Sequence, residues 1–371
     1  MKLLVIGIGD CGCRLADELA QLDKRARAER SVTIVTRAYA VNTEQASLAS
    51  LTVTDTEALQ PIHIEAGAGG YVGELSETGA EFIWDKSERV MASMRAGEYF
   101  ETDAFLLVAG GAGSLGSGGV PVIAQLLKER YVGKPIYALI VLPFKYEEAE
   151  PRCVYNTAVC LKSVSKVADA VFLADNERFM EGDVVPVSME SMLSVNKRII
   201  SPFFDLLCAS EMTSSRYAGA IALGVGEIVQ VLGGWTVIGG GETHIRVAKF
   251  PWKREQDFRD KGSETLKVME AMGEALGGLS TDCRLQDASR ALYLLSVPSK
   301  GANIDMTKAL GTHLREVTES AEIRGGDFYG AKDSIRVTVA LSQLDYVARV
   351  KDYYDRAINI AGTLKKGKGS A

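Results

Sequence analysis

Histidine is scarce in this chain. His63, His244 and His313 are the only three in 371 residues. No two of them share metal-ligand spacing, so no histidine metal site is expected and a Ser-His-Asp hydrolase is disfavoured. Long apolar runs are missing too. None approaches the ~18–20 residues that cross a bilayer, so no integral membrane segment is expected. The start, Met1-Lys-Leu-Leu-Val-Ile-Gly7, reads as a strand entering a loop and carries no leader-peptide cleavage pattern. Basic excess is absent as well. A net charge of −6 lacks the electrostatic footprint of a nucleic-acid binder. There is no internal repeat, and low complexity is confined to the tail Lys365–Ala371, which reads as disordered. The cysteines at 11, 13, 153, 160, 208 and 283 are scattered through apolar contexts, the pattern of reduced thiols in a cytoplasmic protein. Cys11-Gly-Cys13 is too tight for zinc spacing.

What is present is glycine placed between strands and helices. Gly110 to Gly119 reads GGAGSLGSGG. It follows the apolar run Ala104–Ala109, a buried strand, and precedes an amphipathic segment with Pro121 in its first turn. Such a loop is a phosphate cradle. Glycines let backbone N–H groups approach an anion, and the helix N-terminus adds positive dipole. The loop holds Ser114 and Ser117 but no lysine, so it is not a Walker P-loop. A second candidate, Gly7-Ile-Gly-Asp-Cys-Gly12, matches GxGxxG after a strand. A dinucleotide site also wants an acid closing the second strand. Here that strand closes as Ala40-Val-Asn-Thr43, with Glu44 just after. Two glycine loops suit a triphosphate better than a pyrophosphate bridge, and an NAD(P)-dependent oxidoreductase stays as an alternative.

Length and periodicity set the architecture. A chain of 371 residues exceeds one ordinary core. Strand-like and helix-like segments alternate: strands at 3–8, 32–41, 104–109, 136–142 and 170–175, with helices at 11–22, 77–95, 120–131 and 153–167. This βα alternation predicts an α/β fold with a doubly wound, mostly parallel sheet over residues 1–187. A long helix with Pro202 inside it, expected to kink there, and the loop that follows occupy 188–233. A smaller α+β domain takes 234–371, with its clearest strands at 291–296 and 334–341.

The motifs, in order, resemble those of the tubulin/FtsZ GTPase superfamily, nearest its archaeal FtsZ-like and CetZ-like branches. Ala112-Gly-Ser-Leu-Gly-Ser-Gly118 followed by Gly-Val-Pro-Val-Ile-Ala is similar to the tubulin signature GGGTGTG and its PVIA continuation. Ala40-Val-Asn-Thr-Glu44 is similar to the family's AVNT loop, and Val141-Leu-Pro-Phe144 to the strand end before its ribose loop. Ala174-Asp-Asn-Glu177, Ser194-Val-Asn196 and Ser334–Ala340 match further family segments in order. The resemblance implies a Rossmann-like GTP-binding domain, a central helix, a C-terminal domain and head-to-tail protofilaments, with Mg²⁺ accompanying GTP.

The resemblance also implies roles. Gly7, Gly9, Asp10, Cys11 and Gly12 would form one phosphate loop, and Gly110, Gly111, Gly113, Ser114, Gly116, Ser117 and Gly118 the other. Ser117 would donate to a phosphate, Asn42 would lie near the nucleotide, and Glu150 with Arg152 would lie at the ribose. Asn176 and Asn196 would read the base, since an amide offers both donor and acceptor to guanine. In the loop Ala222–Ile228, Glu227 would reach the neighbouring subunit's nucleotide and polarise water. The plain alternative for Glu227 is an acid favoured by a helix N-terminus. Three departures bear on hydrolysis: Leu115 where the family has Thr, Tyr71 where it has Gly, and Gly224 where it has an acid. Ser114, also at a family glycine, adds a Cβ. The expected protein is a self-assembling, slowly hydrolysing GTPase, with a pseudo-GTPase scaffold as the alternative.

Overall fold

The computed structural model describes every residue except 67–71, 95–99, 181–187, 212–218, 245–257, 299–303, 331–333 and 368–371. The chain forms two compact units: Lys2–Ile200 with Tyr346–Ala371, and Met1 with Ser201–Asp345.

The first unit opens with β1 (Leu3–Ile8), α1 (Gly9–Arg30), β2 (Val35–Asn42), the short α2 (Gln45–Ala49) and β3 (Leu59–His63). It continues with α3 (Ser76–Ser93), β4 (Ala104–Gly110), α4 (Ser114–Arg130), β5 (Ile136–Leu142), α5 (Pro151–Val164) and β6 (Ala170–Asp175). β1, β5 and β6 are buried at every position, the signature of parallel strands covered on both faces. The strand order is β3-β2-β1-β4-β5-β6, with each neighbouring pair parallel. The order therefore reverses between β1 and β4. A doubly wound sheet opens a crevice beyond the strand ends at such a reversal.

α6 (Met189–Ala209) runs as helix through Pro202, and its residues from Ser201 on belong to the second unit. That unit adds α7 (Val225–Val231), β7 (Gly234–His244), α8 (Phe258–Gly277), β8 (Ala288–Val297), α9 (Ile304–Thr318), β9 (Glu322–Tyr329) and β10 (Ser334–Leu344). Its sheet has the order β7-β10-β8-β9: β10 is antiparallel to β7 and β8, and β9 is parallel to β8. The last helix, α10 (Ala348–Gly367), returns to the first unit and lies along α5. It carries helix as far as Gly367, into the stretch that composition reads as a disordered tail.

The helix after β4 starts at Ser114, six residues before the expected start at Val120. Three glycines in its first two turns are poor helix formers, each costing about 1 kcal/mol relative to alanine. Packing overrides that cost. A Cβ on Gly118 would overlap the carbonyl of Ser76, and one on Gly79 would overlap the carbonyl of Ser114. α3 and α4 thus touch backbone to backbone. Gly118→Ala should destabilise the protein by about 1–3 kcal/mol, the usual cost of overpacking, as read by urea unfolding. Wild-type stability in this variant would mean that the two helices can part freely.

Candidate functional site

The reversal between β1 and β4 brings two helix N-termini together. β1 ends at Ile8, the N-cap residue of α1, and β4 leads through Gly111–Gly113 into α4, whose N-cap residue is Gly113. Neither N-cap makes a side-chain capping bond. The first-turn N–H groups of a helix have no partner inside it, so two sets of donors and two positive dipole ends face the same space. The turn between β1 and α1 depends on Gly9, whose φ is +73°, a conformation that side chains disfavour.

A cleft of about 400 Å³ lies there, lined by Gly9, Asp10, Asn42, Gly113, Phe144 and Asn176 among others. Asp10 Oδ1 accepts from Asn42 Nδ2 at 2.7 Å and from Ser47 Oγ at 2.5 Å. Asn42 Oδ1 in turn accepts the Thr43 N–H at 2.7 Å, which sets the turn after β2. Ser114 Oγ donates to the Gly73 carbonyl at 2.8 Å. On the far wall, Glu147 accepts the Phe144 N–H at 2.8 Å. Burial pushes the Glu147 carboxyl above its ordinary range, against the pull of that hydrogen bond. Burial also pushes the Cys11 thiol up to about 12, so it is a neutral thiol and no nucleophile.

No arginine or lysine lines this cleft among the described residues, whereas Asp10, Glu44 and Glu147 do. An anion held there must draw on backbone dipoles and on a cation that it brings along. The described residues contain no group of three His, Cys, Asp or Glu able to cage a metal.

Two family profiles match the chain: the tubulin/FtsZ family GTPase domain over residues 2–182 and the tubulin-like CetZ C-terminal domain over 187–359. The chain belongs to the tubulin/FtsZ family. Tubulin-like protein CetZ1 of Haloferax volcanii is 27% identical over 383 residues, covering 99% of this chain and 94% of the relative. A solved structure of CetZ1 as a GDP-bound monomer matches with a TM-score of 0.80 at 26% identity, covering 97% of this chain and 99% of that one. CetZ2 of the same organism, solved as a GTPγS-bound protofilament, matches with a TM-score of 0.80 at 25% identity, covering 98% of this chain and all of that one, 100%.

The residues singled out by tubulin/FtsZ motifs divide into two sets. Gly9, Asp10, Cys11, Asn42, Gly110, Gly113, Ser114, Gly116 and Asn176 line the cleft. Gly7, Gly12, Gly111, Ser117 and Gly118 are not among its lining residues. A Cβ on Gly12 would overlap the Val108 carbonyl, so Gly12 lets α1 rest on β4. Gly111 donates its N–H to the Val141 carbonyl at 2.8 Å. Ser117 is buried, with Oγ donating to the Ser114 carbonyl at 3.3 Å rather than opening to the cleft. Asn196 is buried on α6, one turn beyond Met192, which does line the cleft. Ser114 has no positive φ, so its Cβ is accommodated as the first residue of α4.

Glu150 is exposed at the N-cap of α5 and pairs with Arg152 at 2.9 Å, while Glu147 occupies the cleft wall. Glu227 belongs to the other compact unit. It is exposed in the first turn of α7, and its carboxylate accepts the Gly224 N–H at 2.9 Å. Gly224 has no side chain to reciprocate, so this is half of a capping box. Gly69, Gly70 and Tyr71 lie outside the described residues.

Sequence reasoning missed Glu147, Met192 and Asn156. Position just beyond the β5 end could have found Glu147. Nothing local marks Asn156, which lies beneath the cleft on α5. Fully buried, it accepts the Ser76 N–H at 2.8 Å and donates to the carbonyls of Glu74 at 2.8 Å and Ala112 at 2.9 Å. It joins the segment 72–76 to the β4 loop. Asn156→Leu should lower stability by about 1–3 kcal/mol for each buried group left unpaired and speed hydrogen exchange at the Ser76 amide. Unchanged exchange there would show that Asn156 does not hold these loops.

Proposed function

We propose that this chain binds a guanine nucleotide in the cleft at the β1/β4 reversal, assembles head to tail into protofilaments and hydrolyses GTP slowly at the contact between subunits. One observation carries the reading: two uncapped helix N-termini converge on a cleft whose walls present Asn42, Glu147 and Asn176. The N-termini suit phosphates, and the Asn176 amide suits a base edge. The solved relatives, one with GDP and one as a GTPγS protofilament, support a guanine-nucleotide ligand and assembly into protofilaments. Among the residues proposed for contact, the glycine turns take the phosphates, Asn42 supports Asp10, and Asn176 with Asn196 flanks the base.

Mg²⁺ fits this site as a companion of the nucleotide. The cleft has lining carboxylates and no lining cation among the described residues, and Mg²⁺ commonly uses one or two carboxylates plus phosphate oxygens. Asp10 is the carboxylate that would hold it, and the ion would neutralise phosphate charge. Glu227 of one subunit would then serve the nucleotide of the next. Its exposure leaves it available, and release from the Gly224 N–H would free the carboxylate to orient water.

Leu115, an apolar side chain in the cleft wall, supports the second reading, a scaffold that binds nucleotide weakly or not at all. The dinucleotide alternative finds no further support in a tubulin/FtsZ chain whose β2 ends in Asn42.

Isothermal titration of nucleotide-stripped protein should give micromolar or tighter GTP binding, with GTP preferred over ATP; no binding at millimolar nucleotide would sink the proposal in favour of the scaffold. Removing Mg²⁺ with EDTA should weaken GTP more than GDP, because GTP carries more charge, and equal weakening would argue against the ion's role. Turnover per subunit should rise with protein concentration and fall at least tenfold in Glu227→Ala, with GTP affinity unchanged. Turnover that is constant on dilution would exclude an active site shared between subunits.

A further inference from the structure

α10 is the last element of the chain, yet its first turn reaches the nucleoside wall of the cleft. Arg349 donates from Nε to Asp175 Oδ2 at 2.8 Å and from Nη2 to Glu148 Oε1 at 2.6 Å. Glu148 also accepts from the Tyr353 hydroxyl at 2.6 Å and from Arg356. Both carboxylates are almost wholly buried, each with 7% of its side chain exposed.

Each carboxylate is next in the chain to a cleft residue. Glu148 follows Glu147, and Asp175 precedes Asn176. Asp175 Oδ1 also accepts the Glu177 N–H at 3.2 Å, which fixes the turn that displays Asn176. The Lys145 N–H donates to Glu177 Oε1 at 2.7 Å, a second tie between the same two loops. Burial alone would raise the Glu148 carboxyl, but hydrogen bonds from Arg356, Tyr353 and Arg349 outweigh it and hold the group below its ordinary range. Asp175 has fewer such donors, and burial keeps it above the ordinary range despite Arg349. Without the guanidinium between them, two buried acids would repel across the gap between these loops.

We propose that Arg349 is a positioning residue for nucleotide selectivity: its planar fork holds the Glu147 loop and the Asn176 turn at one spacing, which sets where the Asn176 amide meets the base edge, so that guanine is accepted and adenine is not. The inference rests on the guanine-nucleotide reading of the cleft. Arg356 provides an internal control, because it reaches Glu148 but not Asp175.

The test compares GDP and ADP affinities by titration of the full chain with Mg²⁺, together with thermal unfolding, for wild type, Arg349→Gln, Arg349→Lys and Arg356→Gln. In Arg349→Gln the GDP-over-ADP ratio should fall about tenfold. In Arg349→Lys, which keeps the charge but loses the fork, it should fall by an intermediate amount. Arg356→Gln should lower the melting temperature and leave the ratio within twofold of wild type. If Arg349→Gln does not fold, the Lys variant carries the comparison. A ratio unchanged in the Arg349 variants, or equal loss of GDP and ADP affinity alongside a lower melting temperature, would overturn the inference and leave Arg349 a structural residue. Wild-type protein that binds neither nucleotide would instead defeat the underlying reading of the cleft.

Discussion

The contact between the first turn of α1 and the backbone of β4 is the constraint on which the cleft depends. Gly12 has no Cβ, so the helix settles directly over the Val108 carbonyl. Gly7 likewise leaves room for the Gly12 carbonyl. If either position carried a side chain, α1 would lift away from the strand reversal. Its N-terminal N–H groups would then no longer face the same space as those of α4. The convergence of the two helix N-termini is thus a steric consequence before it is an electrostatic one. The dipoles help only because backbone reaches backbone.

The same economy recurs on the α3–α4 seam. Gly79 and Gly118 let two helices meet without side chains between them. Ser114 then lies close enough to donate to Gly73, and Asn156 can reach both sides of the loop pair from beneath. Glycine in a helix is intrinsically unfavourable. Here the loss is offset by contacts that no other residue permits, and the helix begins earlier than local propensity suggests. Polar groups finish the job. Asn42, Asn156 and Asp175 are each buried and bonded to backbone N–H groups of cleft-lining or adjoining segments. Buried amides and carboxylates of this kind hold geometry well because leaving them unsatisfied is costly.

Much of this was legible in the chain itself. Apolar runs located β1, β4, β5 and β6 to within a residue or two, because a strand covered on both faces must be apolar throughout. The glycine turns after β1 and β4 marked the loops that lead into two helix N-termini, and the ordered motifs pointed to the tubulin/FtsZ family that the profile matches establish. Less legible was which acid of the run Glu147–Glu150 faces inward. The three carboxylates have the same chemistry and differ only in their place on one short turn. Glu147 faces the cleft, Glu148 enters the ion network and Glu150 stays exposed.

The sequence by itself determined the α/β class, the parallel strands and the two glycine turns, because hydrophobic period and glycine placement are local properties that survive without long-range context. Only the tertiary structure decided which glycines face the cleft and which serve packing, that Asn156 bridges two loops about eighty and forty-four residues distant in the chain, and that Arg349 from the last helix stands between Glu148 and Asp175. Those outcomes depend on groups far apart in sequence meeting at hydrogen-bond distance. No local pattern encodes such a meeting, and burial is what makes each one matter.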